Sequence, residues 1–164
     1  MKTNWKIKTH GSEFKLMRLQ ETAPLHTGTM DTPGAASAYI RPLFEASLRY
    51  SPDTETFAVL LLNTRRRAIG FEVVSNGTVD TLLVHPREVF RAAIVMNASA
   101  IVLAHNHPSG EVTPSEGDVK VTRDLIKAGQ IIKIDVLDHI ILGRLLPDQK
   151  RDYCSLRELG YFYS

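Results

Sequence analysis

Two histidines separated by one residue, with an aspartate shortly after them, are the residues of this sequence best suited to chemistry. They lie in segments 104–110 (Ala-His-Asn-His-Pro-Ser-Gly) and 115–118 (Ser-Glu-Gly-Asp). On an extended chain, side chains two residues apart project to the same face, so His105 and His107 can converge on one ion. A helix that begins at the second segment can bring Asp118 back to them. Two imidazoles, one carboxylate and an open fourth position form the ligand set of a catalytic zinc site.

Each part of this pattern also has a purely structural interpretation. A His-x-His sequence occurs on many strands that bind no metal. Asp118 stands three residues after Ser115, which is the spacing of a helix capping box. Taken jointly, the residues favour a metal site, because burying two histidines and an aspartate is costly unless each is hydrogen-bonded or metal-bound. The capping interpretation and the metal interpretation of Asp118 both remain open at this level.

A hydrolytic metal site also needs a general base that accepts a proton from the attacking water. Glu55 almost directly precedes a buried apolar run, residues 57–62, so a neighbouring strand can bring it to the mouth of the site. Glu72 lies in the middle of the next predicted strand and is less well placed. We therefore rank Glu55 first among the candidate glutamates, which are Glu55, Glu72, Glu88, Glu111 and Glu116.

The elements that must position these residues alternate between strand and helix patterns. Helices are predicted at 35–48, 86–94 and 115–128. Pro42 should kink the first or limit it to two short pieces, Ile94 should lie on the buried face of the second, and Gly129 should end the third. The order β-β-(β)-α-β-loop-α-β-β predicts an α/β or α+β fold with one central mixed sheet. Strands are predicted at 57–62, 68–74, 82–84, 100–104, 131–134, 136–142 and 153–156.

The first 34 residues differ from the remainder of the chain. Residues 1–20 indicate a short hairpin around His10, Gly11 and Ser12. Residues 21–34 are rich in turn-forming residues and indicate a loop. We therefore divide the chain into an N-terminal extension, residues 1–34, and one domain, residues 35–164.

Composition excludes several classes of protein. The net charge of +2 predicts neither strong non-specific DNA binding nor membrane-surface binding. The single cysteine, Cys154, excludes an internal disulfide framework and a multi-cysteine zinc ribbon. The longest apolar run is far shorter than the roughly 20 residues that cross a bilayer, and the N-terminus does not resemble a secretory signal. We expect a cytoplasmic protein with no membrane association.

The residues from His105 to Asp118 resemble the JAMM motif of the JAB/MPN zinc metalloprotease superfamily. That motif reads His-x-His-Pro, six intervening residues, then Ser-x-x-Asp, and every position is matched. A finer resemblance, to the bacterial RadC family, covers roughly residues 35–157. The implied fold is the cytidine-deaminase-like α-β-α sandwich of JAB/MPN domains, built around a curved mixed sheet. The supporting segments are Glu55–Leu62, Gly77-Thr78, Val84–Phe90, Ala104–Gly110 and Leu137–Gly143.

This resemblance implies a set of roles. His105, His107 and Asp118 are the implied ligands of a zinc ion (Zn²⁺), Glu55 corresponds to the glutamate that activates water, and Ser115 to the serine that stabilises the oxyanion. The implied activity is hydrolysis of a peptide or isopeptide bond in a peptide or protein substrate, in the bacterial cytoplasm. The alternative is a binding module in DNA repair or mobile-element biology, with a DNA or protein partner and a structural or vestigial metal.

Three further residues have side chains that could take part in the site. His139 follows Asp138 in a predicted strand and either supports the metal site or pairs with that aspartate, which is the interpretation we prefer. His85 precedes Pro86 and is assigned to the start of a helix rather than to a metal. Cys154 is expected to be a packed edge residue without a catalytic role.

Overall fold

The computed structural model describes the backbone of residues 5–9 and 12–16 and, in full, residues 28–77 and 84–163. The predictions for residues 21–27 and 82–83 lie outside the described residues. In the described part, no helix has the length and apolar character needed to cross a membrane. The elements in chain order are β1 (Trp5–Thr9), β2 (Ser12–Leu16), α1 (Pro33–Glu45), β3 (Thr56–Leu62), β4 (Ala68–Asn76), α2 (Pro86–Val95), β5 (Ala100–Asn106), α3 (Glu116–Ile132), β6 (Asp135–Leu142) and β7 (Tyr153–Ser155).

A five-stranded sheet in the order β4-β3-β5-β6-β7 forms the centre of the fold, and β1 and β2 pair separately as the predicted hairpin. β5 and β6 run parallel, while the other neighbouring strands of the large sheet are antiparallel. Every residue of β3 and β5 is buried, as their continuous apolar runs require of strands covered on both faces. The sheet is therefore mixed, as predicted.

Helices cover both faces of this sheet. On the α1 side, Leu60 packs with Ile40 and Phe44. On the opposite side, α2 and α3 pack on the sheet through a second apolar layer that includes Leu103 and Leu125. Because side chains alternate along a strand, each strand contributes to both layers. The α-β-α arrangement expected from the sequence is confirmed.

Two predictions about the helices are wrong. α1 is one continuous helix through Pro42, so its division into two short pieces is wrong, and the kink at Pro42 stays a prediction. Pro42 and Ala38 are both exposed, so the Ala38 carbonyl that loses its helical partner faces water and the cost is small. Ile94, placed on the buried face of α2, is 60% exposed, whereas Phe90 is buried as predicted.

The predicted end of α3 at Gly129 is also wrong. The helix continues to Ile132 and β6 begins at Asp135, so the predicted strand at 131–134 is wrong. A Cβ atom at Gly129 would lie 2.5 Å from the carbonyl oxygen of Ile134. Glycine is therefore required here for the close approach of the segment leading into β6. The C-cap residue is Lys133, whose backbone is left-handed with a φ of 60°.

Candidate metal centre

His105, His107 and Asp118 converge at the end of β5. The two Nε2 atoms are 2.9 Å apart. Asp118 Oδ1 lies 3.1 Å from His105 Nε2, and Asp118 Oδ2 lies 3.5 Å from His107 Nε2. Ligands held tetrahedrally around zinc at about 2.0–2.1 Å are separated from one another by about 3.3–3.4 Å. The distances between these nitrogen and oxygen atoms are therefore close to those between three ligand atoms of a tetrahedral zinc site.

The strand and the turn after it position the two histidines. His105 belongs to β5 and is fully buried. Phe57, its partner across the antiparallel β3–β5 pair, stacks on its ring with centroids 6.2 Å apart. His107 follows the strand, and its backbone N–H donates to the carbonyl of Leu142 in β6 at 2.9 Å. Pro108 then prevents the strand from continuing, because proline has no N–H to offer.

The loop after β5 fixes the ring of His107. Its Nδ1 lies 2.9 Å from the carbonyl oxygen of Glu111. A carbonyl only accepts hydrogen bonds, so Nδ1 carries a proton and the lone pair of a neutral ring is on Nε2. That lone pair faces the Nε2 atom of His105. Such a short contact between two ring nitrogens requires a proton or a metal cation between them, so the donor set fits a cation.

Asp118 serves helix α3 and the candidate site together. Its Oδ2 accepts hydrogen bonds from the Ser115 N–H and hydroxyl, each at 2.7 Å, and its own N–H donates to Ser115 Oγ at 3.1 Å. This is the capping box that begins α3. Oδ1 stays directed at His105. The two interpretations of Asp118 that the sequence left open are therefore compatible.

The electrostatics of the cluster favour a bound cation. Burial by itself raises the pKa of Asp118, but interactions with the His105 and His107 side chains outweigh it and hold that pKa well below its ordinary value. Burial by itself lowers the pKa of His107, but the hydrogen bond and charge of Asp118 outweigh it and raise that pKa. An ionised carboxylate that stabilises positive charge at its neighbour is a suitable environment for a metal ion.

Glu55 immediately precedes β3 and is near enough to this cluster for its charge to raise the pKa of His107. Asn106 fixes the backbone on both sides of Glu55. Asn106 Oδ1 accepts from the N–H of Thr56 at 2.9 Å, and Asn106 Nδ2 donates to the carbonyl of Thr54 at 3.1 Å. These two hydrogen bonds were not predicted from the sequence. The position of Asn106 between two candidate metal ligands is the feature of the sequence that could have suggested a role for it.

The other candidate glutamates have different surroundings. Glu72 lies opposite Val59 in the middle of β4 and forms an ion pair with Arg91 at 2.8 Å. Glu88 lies in the first turn of α2. The remaining two, Glu111 and Glu116, are exposed. Of the five glutamates, Glu55 is the one that we retain as a candidate base.

His139 and Thr122 are buried residues beside the cluster. Nε2 of His139 lies 2.8 Å from Nδ1 of His105, and its Nδ1 lies 2.6 Å from Thr122 Oγ1. Burial, with the charge of His105, holds the pKa of His139 well below its ordinary value. The preferred pairing of the His139 ring with Asp138 is wrong, because Asp138 contacts only the backbone N–H of His139, at 2.7 Å. Asp138 instead accepts from the hydroxyl of Ser155.

Two other residues lie where the sequence indicated. His85 is the N-cap residue of α2 and makes no capping hydrogen bond through its side chain. Cys154 lies in the edge strand β7 and is partly buried. Burial, together with the charges of Asp138 and Glu158, raises the pKa of this thiol to about 11. A thiol with that pKa is a poor nucleophile at neutral pH.

Comparison with known proteins identifies the family. The RadC-like JAB domain family matches residues 30–161. This chain belongs to that family. Similar RadC-like relatives include UPF0758 proteins of Thermosynechococcus vestitus (43% identical over 142 residues, 87% of this chain and 52% of the relative) and Pseudomonas fluorescens (43% over 136 residues, 83% and 56%). A UPF0758 protein of Desulforamulus reducens is 53% identical over 108 residues, 66% of this chain and 45% of the relative.

This RadC-like JAB domain spans about half the length of the curated relatives it matches. The family expected from the sequence is confirmed, and His105, His107 and Asp118 offer a site that could bind a metal ion. The division of the chain between residues 34 and 35 stays a prediction.

Proposed function

We propose that this RadC-like JAB domain is a zinc-dependent hydrolase that cleaves an amide bond in a peptide or protein substrate of the bacterial cytoplasm. The observation that carries the proposal is the convergence of His105, His107 and Asp118 on one point beside Glu55. The side chains of His107 and Asp118 are 13% and 10% exposed, against 1% for His105, so one side of the cluster is open to solvent. That opening suits a site that must admit water and substrate.

Each residue has a distinct role in this proposal. His105, His107 and Asp118 would hold the ion. When bound, zinc supplies a Lewis acid that polarises a carbonyl group and lowers the pKa of water. Glu55 accepts the proton of the attacking water and returns it to the nitrogen of the leaving amine. Asn106 holds the backbone of Glu55 in place for both transfers.

Ser115 is proposed to donate a hydrogen bond to the developing oxyanion. Its side chain lies at the exposed N-terminus of α3, and its hydroxyl contacts Asp118 Oδ2 at 2.7 Å. The same Oδ2 also accepts the backbone N–H of Ser115, so the hydroxyl can rotate towards substrate without leaving the carboxylate oxygen unbonded. Removing one oxyanion donor reduces kcat by about 10²–10³-fold in well-studied hydrolases.

The experiment measures metal content and then hydrolysis of a library of peptides and isopeptides. Wild-type protein should contain one zinc ion per chain and show chelator-sensitive hydrolysis. The variant Glu55→Gln should keep the zinc and lose about 10²–10⁴-fold in rate, because proton transfer is lost while the ligands stay. His107→Ala should lose both zinc and activity. Glu72→Gln is the matched control on β4 and should retain both.

Three outcomes would count against the proposal. Wild-type protein that binds no zinc would remove the metal site. A fully active Glu55→Gln variant would remove Glu55 from the mechanism. Binding to labelled DNA that is sensitive to salt but not to chelator, without any hydrolysis, would favour the binding-module alternative.

A further inference from the structure

His139 and Thr122 form a buried chain of hydrogen bonds behind His105. His139 and Thr122 are both 0% exposed, and the ring of His139 contacts the edge of Phe57 with centroids 5.4 Å apart. These hydrogen bonds connect the backbone carbonyl of Asp118 to the Thr122 hydroxyl, the hydroxyl to the His139 ring, and that ring to Nδ1 of His105. Each of these contacts is within hydrogen-bond distance, so the direction of each bond decides where the protons lie.

The hydrogen bond between Thr122 and the backbone carbonyl of Asp118 fixes the donor and the acceptor in the bonds that follow. Thr122 Oγ1 lies 2.5 Å from the carbonyl oxygen of Asp118, one turn earlier in α3. Because a carbonyl only accepts, the single hydroxyl proton of Thr122 is directed there. The hydroxyl oxygen must then accept from His139. Nδ1 of His139 therefore carries a proton.

The proton on Nδ1 of His139 also determines the direction of the hydrogen bond between His139 and His105. In the described structure the ring of His139 contacts no carboxylate, and a fully buried imidazolium without such a partner is costly. A neutral ring with its proton on Nδ1 has an accepting Nε2 atom. Nδ1 of His105 must donate to it across 2.8 Å. The remaining lone pair of His105 is then on Nε2, the atom that faces His107 and Asp118.

We propose that His139 is a positioning residue that holds His105 in the tautomer and orientation needed to bind a metal ion through Nε2, and that Thr122 fixes His139 in turn. A metal-bound histidine usually donates its second N–H to a carboxylate, a carbonyl or water, and removing that partner weakens metal binding by about 10–100-fold. Here a neutral imidazole takes the place of the carboxylate. The inference rests on the proposed function, since it requires the metal site.

Zinc itself is the probe, so the test does not depend on a known substrate. Zinc dissociation constants are measured by competition with a chromophoric chelator for the wild type and three variants. His139→Phe keeps an aromatic ring against Phe57 but has no acceptor, and it should bind zinc about 10–100-fold more weakly. His139→Gln offers a carbonyl to His105 and should recover part of that loss. Thr122→Val keeps the shape and should fall between the wild type and His139→Phe.

The matched control is Asp138→Asn, one residue earlier on β6, whose side chain accepts from Ser155 and from the backbone N–H of His139 but does not contact the His139 ring. Asparagine keeps a side-chain oxygen that can accept the same backbone N–H. It should leave the zinc affinity unchanged. Thermal unfolding of each apoprotein separates a general loss of stability from a loss of affinity. A merely structural role for His139 would lower the unfolding temperature without recovery of zinc affinity in His139→Gln.

Failure of this inference and failure of the proposed function give different results. If the wild type binds zinc and His139→Phe binds it equally well, the positioning role is refuted while the metal site stands. If the wild type binds no zinc, the metal site and the inference both fall. If His139→Phe does not fold, ¹⁵N resonances of the zinc-loaded wild type decide. A proton on Nδ1 of both His105 and His139 supports the inference, and a proton on Nε2 of His139 overturns it.

Discussion

Replacing Asn106 by alanine should separate the position of Glu55 from the metal site. Asn106 belongs to β5 between the two histidines, but its amide contacts the backbone of Thr54 and Thr56 rather than the metal cluster. The N–H of Thr56 would lose its acceptor in a residue that is 0% exposed. The variant thus disturbs the segment that carries Glu55 and leaves the three candidate ligands intact.

The expected cost follows from these two bonds. A buried N–H left without an acceptor costs about 1–3 kcal/mol, and the second hydrogen bond contributes about 0.5–1.5 kcal/mol. The free energy of unfolding should therefore fall by about 1.5–4.5 kcal/mol. For a chain of 164 residues, this corresponds to a Tm lower by about 3–18 °C. Under the proposed mechanism, hydrolysis should fall more than the loss of stability accounts for, because the backbone on both sides of the proposed base Glu55 is no longer fixed.

Urea and thermal denaturation measure the first effect, and zinc affinity with kcat measures the second. Asn63→Ala is the matched control: Asn63 also bonds two backbone groups, the N–H groups of Arg65 and Arg67, but at the opposite end of β3. It should lose stability and keep a normal kcat. An Asn106→Ala variant with wild-type kcat at a temperature where it is folded would refute the positioning argument.

Three further predictions concern the loop, the metal and a buried acid. A Cβ atom at Gly143 would overlap the carbonyl of Gly110 in the loop that carries His107, so Gly143→Ala should cost about 1–3 kcal/mol and weaken zinc binding measured by calorimetry. Because the pKa of His107 is raised, zinc affinity should fall about tenfold per pH unit below that pKa, and a flat profile would contradict this. Burial raises the pKa of Asp138 above 3.8, so its contribution to stability is complete below 3.8 and is lost as pH rises through the folded value. In urea denaturation, the stability of Asp138→Asn relative to the wild type should accordingly increase as the pH rises above 3.8.

The features of the site that depend on residues close together in the sequence could be predicted from the sequence. Alternation along an extended strand is sufficient to place His105 and His107 together. The capping spacing of Asp118 located the start of α3. Glu55 ranks first among the glutamates because it nearly adjoins a buried strand, and β3 does pair with β5, whose end carries His105.

Features that depend on distant parts of the chain could not be predicted in this way. Gly129 has the usual signature of a helix end, yet its role is set by the carbonyl of Ile134 as the chain turns back to the sheet. Asn106 has no partner within its own segment, because both its hydrogen bonds span about fifty residues of sequence. Such contacts exist only once β3 and β5 are paired.

The orientation of His139 shows this dependence most clearly. In the pairing of β5 with β6, Ile101 lies opposite Val136, but Val102 lies opposite Asp138, so β6 contains one extra residue. In a regular strand, Val136 and Ile140 would face the same side. Here Val136 packs in the α2/α3 layer and Ile140 in the α1 layer.

The extra residue therefore reverses the alternation in the middle of β6, as a β-bulge does. After it, His139 faces His105, while the preceding Asp138 faces away towards Ser155. If β6 had no bulge and Val136 kept its position, regular alternation would direct the carboxylate of Asp138 towards α3. The imidazole of His139 would then face the opposite side of the sheet. The pairing of β5 with β6 therefore decides which side chain contacts His105. The sequence pattern of β6 alone is compatible with either Asp138 or His139 in that position.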